Sequence, residues 1–174
     1  MSQISLVAAS AQDLEPIALL HAQSWRSTYR GIVPDEFLDQ LADSDRREFW
    51  AARFASAAVD RWLLLQARGA GSLLGFVSVL LDAEPRWGAR LDSLHVSPAA
   101  KGTGVGRTLF QAAREWIAGA SPGTAMHLWC VERNPVARRF YERQGGAIVE
   151  AANRPFAGQA SVAELRYWWA PLPP

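Results

Sequence analysis

The chain has 174 residues, and its 18 lysines and arginines against 17 aspartates and glutamates leave a formal net charge of +1. This near-neutral balance argues against nucleic acid or an anionic membrane as a partner, since both need a strongly basic surface. A hydrophobic fraction of 49% is typical of one globular domain, residues 1–174, and a lone cysteine, Cys130, cannot form an internal disulfide, which favours a cytoplasmic protein. No apolar stretch approaches the roughly 20 residues that span a bilayer, and the N-terminal segment lacks a signal-peptide pattern.

The first half of the chain is predicted to form a strand, helices and a β-hairpin. Ser10 or Asp13 can cap the first helix, whose apolar residues from Leu14 to Trp25 lie near helical spacing. A glycine and a proline in "YRGIVPDEFLDQL" interrupt the pattern before a short helix. The remaining ranges are a strand at 4–9, an amphipathic helix at 43–58, and antiparallel strands at 61–68 and 73–81 joined by the turn "GAGS".

The second half of the chain alternates strands and helices. The predicted strands are 89–96, 125–131, 147–152 and 161–169, and the predicted helices run from a glycine-rich turn to about residue 118 and from 134 to 146. The order β-α-α-β-β-β-α-β-α-β-β predicts an α/β or α+β fold, in which a mixed sheet carries helices on both faces.

Three glycines, Gly102, Gly104 and Gly106, lie between a predicted strand and a predicted helix. Glycine loses more backbone freedom on folding than any other residue, so three together suggest that a ligand comes very close to the backbone. A turn at the start of a helix aims free N–H groups and the positive helix end at one point, which suits a phosphate.

Two common nucleotide-binding patterns do not fit this turn. A Walker loop would need a glycine at Lys101 and a lysine at Arg107. A dinucleotide-binding turn would need a third glycine where Val105 or Leu109 stands. A nucleotide-binding module is therefore disfavoured.

A second segment, "NPVARRFYERQGG", carries strong helix-boundary residues. Asn134 can cap the free N–H groups of the helix, and Pro135 fits the first helical position, where its missing N–H would be unpaired anyway. Gly145 or Gly146 can close the helix. Tyr141 follows Asn134 by two helical turns, so the two side chains lie along one side of the helix.

Together these segments resemble the coenzyme A-binding motifs of the GCN5-related N-acetyltransferases, the GNAT family. The family pattern (Q/R)-x-x-G-x-(G/A) is matched from Lys101 to Gly106, and the lysine keeps a cation where Gln or Arg is usual. The family pattern N-x-x-A-x-x-F-Y-x-x-x-G is matched at Asn134, Ala137, Phe140, Tyr141 and Gly145. The opening segment also resembles the first strand and helix of such enzymes, so the resemblance covers nearly the whole chain.

The resemblance implies an acetyl-CoA-dependent N-acetyltransferase with a mixed, mostly antiparallel central sheet. It implies that acetyl-coenzyme A is the acyl donor and that an amine attacks the thioester directly in a ternary complex. The pyrophosphate would lie on the glycine turn, and the pantetheine arm would pair with the end of the strand at 89–96, in a gap between that strand and the next. The implied coenzyme-binding residues are Leu94, His95, Val96, Lys101, Gly102, Thr103, Gly104, Val105, Gly106, Arg107, Asn134, Ala137 and Tyr141.

The resemblance also implies two catalytic residues. Tyr141 is the expected general acid for the departing thiolate, with core packing as its alternative. The position two residues before Leu94, where the family often has a base, is Asp92, with a solvated strand-end charge as its alternative. Alternation along the strand would put Asp92 on the same face as Leu94. Glu84 and Glu36, in predicted loops, are weaker candidates for the base.

Other reactive side chains receive structural interpretations. The histidines His21, His95 and His127 have no carboxylate or cysteine at metal-ligand spacing, so no metal site is predicted. Cys130 lies in a strand expected to be covered on both faces, which favours an inert core thiol over a nucleophile. Tryptophan is the candidate residue type for lining an acceptor cleft, at Trp25, Trp87 and either Trp168 or Trp169.

The sequence leaves several alternatives open. A domain that binds acyl-CoA as a sensor or partner without turnover is the alternative to an enzyme, and the presence of Tyr141 argues weakly against it. The acceptor is open among small amines, amino acids, peptide N-termini, lysine side chains and drugs, and a homodimer is open too. The loops expected to select the acceptor are 25–37, 83–88 and 152–161.

Overall fold

The computed structural model describes residues 4–56, 61–156 and 161–173, which form a seven-stranded sheet and four α-helices. The strands are β1 (Ser5–Ala8), β2 (Trp62–Gly69), β3 (Ser72–Glu84), β4 (Gly88–Val96), β5 (Met126–Val131), β6 (Ala147–Pro155) and β7 (Ser161–Trp169). The helices are α1 (Leu14–Thr28), α2 (Ala42–Ser56), α3 (Val105–Ala120) and α4 (Pro135–Arg143). This order of elements confirms the predicted α/β fold class.

The sheet has the strand order β1-β2-β3-β4-β5-β7-β6, and its neighbouring strands are antiparallel except for β4 and β5. The tight turn between β2 and β3 has positive φ angles at Ala70 (49°) and Gly71 (78°), as a two-residue hairpin loop requires. The sheet is therefore mixed and mostly antiparallel, as predicted.

A capping box opens the 3-10 turn at Ala11–Asp13 that leads directly into α1. The Asp13 carboxylate accepts hydrogen bonds from the backbone N–H (2.9 Å) and the hydroxyl (3.1 Å) of Ser10, so both predicted capping residues take part. The predicted short helix before α2 differs from the structure. A π-helical turn at Phe37–Leu41 runs directly into α2 instead, because no breaking residue separates them.

The helices cover the two faces of the sheet and bury separate apolar cores. On one face, α3 packs Leu109 and Phe110 against β3 and β4, and α4 adds Tyr141. On the other face, α1 packs Ile17 and α2 packs Trp50 against the sheet. Among the described residues, no helix combines the length and apolar character needed to cross a membrane.

A β-bulge in β4 changes which face Asp92 occupies. Ser78 of β3 pairs with Ser93, but the next residue, Val79, pairs with Leu91, which leaves Asp92 as the extra residue. Its side chain reaches α2, whereas Leu94 packs against the α3 core. The prediction that Asp92 shares a face with Leu94 is wrong, because strict alternation does not survive a bulge.

A gap opens between β4 and β5. The two strands pair only at their beginnings, where Ala89 faces Met126 and Arg90 faces His127. Beyond that point β4 stays paired with β3 as far as Val96, and β5 stays paired with β7. The strands therefore separate toward their carboxyl ends, at the place where the sequence resemblance implied a gap.

Candidate active site

A cavity of about 620 Å³ occupies the gap between β4 and β5. Its wall is formed by the end of β4, the glycine turn, the start of α3, the end of β5, α4 and the last turn of α1. The predicted coenzyme-binding residues line this cavity, with the exceptions of Thr103 and Val105. The two sequence motifs therefore meet at one cavity.

The glycine turn has the geometry of an anion site. Gly102 and Gly104 have φ angles of 78° and 93°, and a Cβ at either position would find no protein atom within 4 Å. In the described part of the chain, the first N–H of α3 with a backbone acceptor is that of Thr108, which donates to the carbonyl of Gly104 at 3.0 Å. The N–H groups before it are free for a ligand such as a phosphate.

The two residues of this turn that do not line the cavity have structural contacts. The Thr103 hydroxyl donates to the carbonyl of Ala100 at 2.7 Å, and the Val105 side chain is only 1% exposed within the α3 core. Their side chains point away from a ligand, so only their backbone can contribute. Lys101 and Arg107 line the cavity and place cations beside the turn.

The end of β4 presents an unpaired edge to the cavity. Leu94, His95 and Val96 pair with β3 on one side, and β5 has separated from them on the other. An extended ligand with amide groups fits this edge, because it can add hydrogen bonds as a further strand would.

The start of α4 confirms the predicted helix cap. The N–H of Ala137 donates to the Asn134 side-chain oxygen at 3.1 Å, and Gly145 beyond the helix has a φ of 82°. Tyr141 is 9% exposed, and both it and Asn134 line the cavity. The Tyr141 hydroxyl finds no hydrogen-bond partner among residues 4–56, 61–156 and 161–173, so it is free to meet a ligand.

The environment of the cavity keeps its tyrosine hydroxyls and its cysteine thiol protonated. Burial, followed by the nearby Cys130 and Tyr29, holds the pKa of Tyr141 well above its ordinary value. Burial also raises the pKa of the Cys130 thiol to about 12 and raises that of Tyr29. The Cys130 thiol is buried and donates weakly to the Val131 carbonyl at 3.6 Å, which suits a core thiol better than a nucleophile.

A histidine and a serine form another part of the wall. His95 Nδ1 lies 2.9 Å from the Ser24 hydroxyl, and the His95 ring packs 4.0 Å from that of His21. Burial, followed by Arg46 and Lys101, lowers the pKa of His95 to about 3, so its imidazole is neutral. Across the described residues, no group of three or more histidines, cysteines and acids is placed to hold a metal ion.

Asp92, the predicted base, lies outside the cavity wall. Its two oxygens meet the guanidinium groups of Arg53 (3.0 Å) and Arg90 (2.9 Å), and its side chain is 12% exposed. Of the weaker candidates, Glu84 forms an ion pair with Arg166 at 2.7 Å, and Glu36 is exposed. A base role for Asp92 remains a prediction, with two cations competing for its lone pairs.

Sequence reasoning missed two aromatic side chains of the wall, Tyr29 and Trp129. Tyr29 falls within a loop predicted to select the acceptor, but nothing marked Trp129 among eight tryptophans. The candidates named from sequence do not line the cavity: Trp25 packs on Phe156 (4.7 Å), and Trp87 lies beside Arg166 (4.8 Å). Trp169 is buried in the α3 core, and Trp168 is likewise absent from the wall.

Comparisons with known proteins agree with this arrangement. A family model described as "Acetyltransferase (GNAT) family" matches residues 21–146. The "Probable N-acetyltransferase Rv2775" of Mycobacterium tuberculosis is 27% identical over 145 residues, which cover 82% of this chain and 79% of that protein.

Two solved structures share the fold. The PaiA N-acetyltransferase of Thermoplasma acidophilum, in complex with coenzyme A, is 22% identical with a TM-score of 0.74, covering 93% of this chain and 98% of that one. A GCN5-related N-acetyltransferase of Rhodopseudomonas palustris is 23% identical with a TM-score of 0.75, covering 98% and 97%.

Proposed function

The chain belongs to the acetyltransferase (GNAT) family and is an N-acetyltransferase, and from this premise we propose that it moves the acetyl group of acetyl-coenzyme A to a primary amine by direct attack in a ternary complex. Residues 1–174 would act as one acyltransferase domain. The observation that carries this proposal is the cavity in the β4–β5 gap, which joins an anion-binding turn to an unpaired strand edge and a free tyrosine hydroxyl.

The coenzyme is proposed to lie along the gap. Its pyrophosphate would accept hydrogen bonds from the free N–H groups at the start of α3. The glycines before α3 have positive φ angles and no protein atom near their Cβ positions, which leaves room for the pyrophosphate. Lys101 and Arg107 would add cations, and the pantetheine amides would pair with the edge of β4 from Leu94 to Val96. The acetyl thioester would then lie in the middle of the cavity, near Tyr141.

The chemical step needs a proton donor at the sulfur of the departing coenzyme A. Coenzyme A thiol, like a simple alkyl thiol, is mostly protonated at neutral pH, so a departing thiolate needs a proton. Tyr141 is held protonated by its surroundings and has a free hydroxyl, which suits a general acid. A backbone N–H near Val96 would stabilise the developing oxyanion.

The chemical step also asks for a base at the amine. Asp92, with its two oxygens held by two arginines, has a better-supported role in fixing Arg53 and Arg90. The proposal therefore does not route the amine proton through Asp92.

The test is release of free coenzyme A thiol from acetyl-coenzyme A in the presence of an amine panel. The panel contains phenethylamine, spermidine, free amino acids, a peptide with a free N-terminus and a peptide with an internal lysine. Amine-dependent thiol release, with acetylated product detected by mass spectrometry, supports the enzyme. Coenzyme binding by calorimetry without thiol release from any of these would favour the sensor instead.

A further inference from the structure

Direct transfer of the acetyl group needs a base that takes a proton from the attacking amine, and the described cavity wall offers none. Its one histidine, His95, has a pKa of about 3 and is a weak base. Tyr29, Cys130 and Tyr141 all have raised pKa values, so they hold their protons. The other titratable side chains of the wall are lysine and arginine, which are already protonated at neutral pH.

A carboxylate lies directly behind this wall, on the α1 side of the sheet. Glu164 of β7 pairs with Val131 of β5, at the end of the strand that borders the gap. Its carboxylate pairs with the Arg154 guanidinium, which lies 4.4 Å from the ring of Trp129 in the wall, so the carboxylate lies one side chain away from the cavity. Its charge also helps burial to raise the pKa values of Tyr29 and Cys130, two further residues of the wall. Its side chain is only 13% exposed.

Glu164 is held more loosely by cations than Asp92 is. Among the described residues, its ion pair joins Oε2 to Arg154 Nη1 at 3.4 Å, beyond ideal hydrogen-bond length. Arg154 is 35% exposed, and its guanidinium also lies 4.4 Å from the Trp129 ring, so it divides its contacts between that ring and the carboxylate. Asp92, by contrast, is held by two arginines at about 3 Å.

The proton affinity of Glu164 suits a base. Burial raises its pKa, and Arg154 offsets that increase only in part. A carboxylate with a raised pKa takes a proton more readily than an exposed one.

We propose that Glu164 is the general base of acetyl transfer, and that the acceptor amine reaches the thioester from the α1 side of the gap, between Tyr29 and Trp129. This inference rests on the proposed function. The acceptor is then a primary ammonium with an apolar or aromatic body, because two aromatic rings form the approach and a carboxylate stands at its end.

The proton balance of the step is complete with this chain's own groups. The ammonium gives one proton to Glu164, directly or through one water, and the neutral amine attacks the carbonyl carbon. The new C–N bond forms from the nitrogen lone pair, and the C–S bond breaks with its electron pair on sulfur. Tyr141 protonates the thiolate and regains the second N–H proton, while Glu164 releases the first to solvent past Arg154.

The test is Glu164→Gln, which keeps the side-chain shape and removes the charge. With the panel amine that the parent acetylates fastest, kcat/KM should fall about 10²–10⁴-fold, and the acidic limb of its pH profile should disappear. Coenzyme A affinity, measured by calorimetry, should not change. The control is Glu132→Gln, which removes the same charge from an exposed position just beyond β5 and should keep both the rate and the pH profile.

Thermal stability provides a second readout, because a catalytic and a purely structural Glu164 predict opposite changes in the unfolding midpoint of Glu164→Gln. Burial raises the pKa of Glu164 in the folded state above the unfolded value of 4.5. The protein therefore loses stability as pH rises from the unfolded to the folded pKa, because the buried carboxyl ionises in that range. Glu164→Gln should therefore raise the midpoint of thermal unfolding at pH 8, with the difference vanishing near pH 4. A carboxylate that serves as a strut for Arg154 would give a lower midpoint instead.

The outcomes separate this inference from the proposed function. A parent that releases thiol with an amine, together with a Gln variant of unchanged rate and pH profile, overturns the base assignment alone. Loss of the acidic limb in Asp92→Asn rather than in Glu164→Gln would return the base to Asp92. A parent that releases no thiol with any amine of the panel overturns the proposed function, and the base assignment with it.

Discussion

The glycine turn can be tested by a pair of substitutions that share their backbone cost and differ only in place. Gly104 has a φ of 93° and Gly123 a φ of 78°, and at both positions an added Cβ meets no protein atom within 4 Å. Gly104 lines the cavity, whereas Gly123 lies in the turn between α3 and β5. Gly104→Val and Gly123→Val therefore separate backbone strain from interference with a ligand.

Both variants should lose a similar, modest amount of stability. A non-glycine residue in the left-handed region costs about 1–2 kcal/mol. For a chain of this size, 1 kcal/mol lowers the midpoint of thermal unfolding by about 2–4 °C, so a loss of about 2–8 °C is expected for each. Against a total stability of about 5–15 kcal/mol, both variants should remain folded.

Only Gly104→Val should lose coenzyme A. The valine side chain would occupy space that the protein leaves empty and that a pyrophosphate needs, and it would tilt the free N–H groups at the start of α3. A loss of at least about 100-fold in affinity, or about 2.7 kcal/mol, is expected by titration calorimetry. If Gly104→Val binds coenzyme A within about twofold of Gly123→Val, the turn does not hold the pyrophosphate.

Three further predictions concern the chemistry and the pH dependence of stability. Tyr141→Phe should leave coenzyme A affinity unchanged and lower turnover by ~10²–10⁴; turnover within about twofold of the parent, with chemistry rate-limiting, would make Tyr141 a packing residue. Cys130→Ala should keep most of its turnover, and ping-pong initial rates would contradict this by implying an acyl-enzyme. Between about pH 6.5 and 4 the unfolded chain protonates histidines that the fold keeps neutral, since burial lowers the pKa of His95 to about 3 and of His127 to about 4. The free energy of unfolding, measured by urea denaturation, should therefore decrease by on the order of 1 kcal/mol per histidine for each pH unit that the pH is lowered. Equal free energies of unfolding at pH 7 and pH 5 would exclude this linkage.

The features that the sequence predicted well are those fixed by neighbouring residues. The cap at Asn134 needs only the N–H groups of the next turn, and the glycine at 145 needs only its own positive φ. The same holds for Gly102 and Gly104, whose positive φ angles lie in the short turn that leads into α3. Such features could be located to within a residue or two, without knowledge of the tertiary fold.

The features that the sequence did not predict depend on contacts between distant segments. The bulge that turns Asp92 toward Arg53 arises from the register of β4 against β3, and no residue in "LDSLHV" marks it. Glu164 looks like any charged residue of a strand until the fold places Arg154 beside it and leaves only 13% of its side chain exposed. Burial of a polar group is a property of the packed fold, so a single sequence cannot reveal it.

The parallel pairing of β4 and β5 explains why two separate motifs serve one cavity. In a sheet that is otherwise antiparallel, this pair points two carboxyl ends in the same direction, and a helix follows each end. The helix after β4 begins at the glycine turn, and the helix after β5 begins directly after Asn134, so the N-terminal ends of two helices face the same space. Because the strands stop pairing after Arg90 and His127, that space is open to an extended ligand between them. Pairing continued to the ends of both strands would close the cavity without altering either motif, so the site depends on where the pairing stops as much as on the glycines.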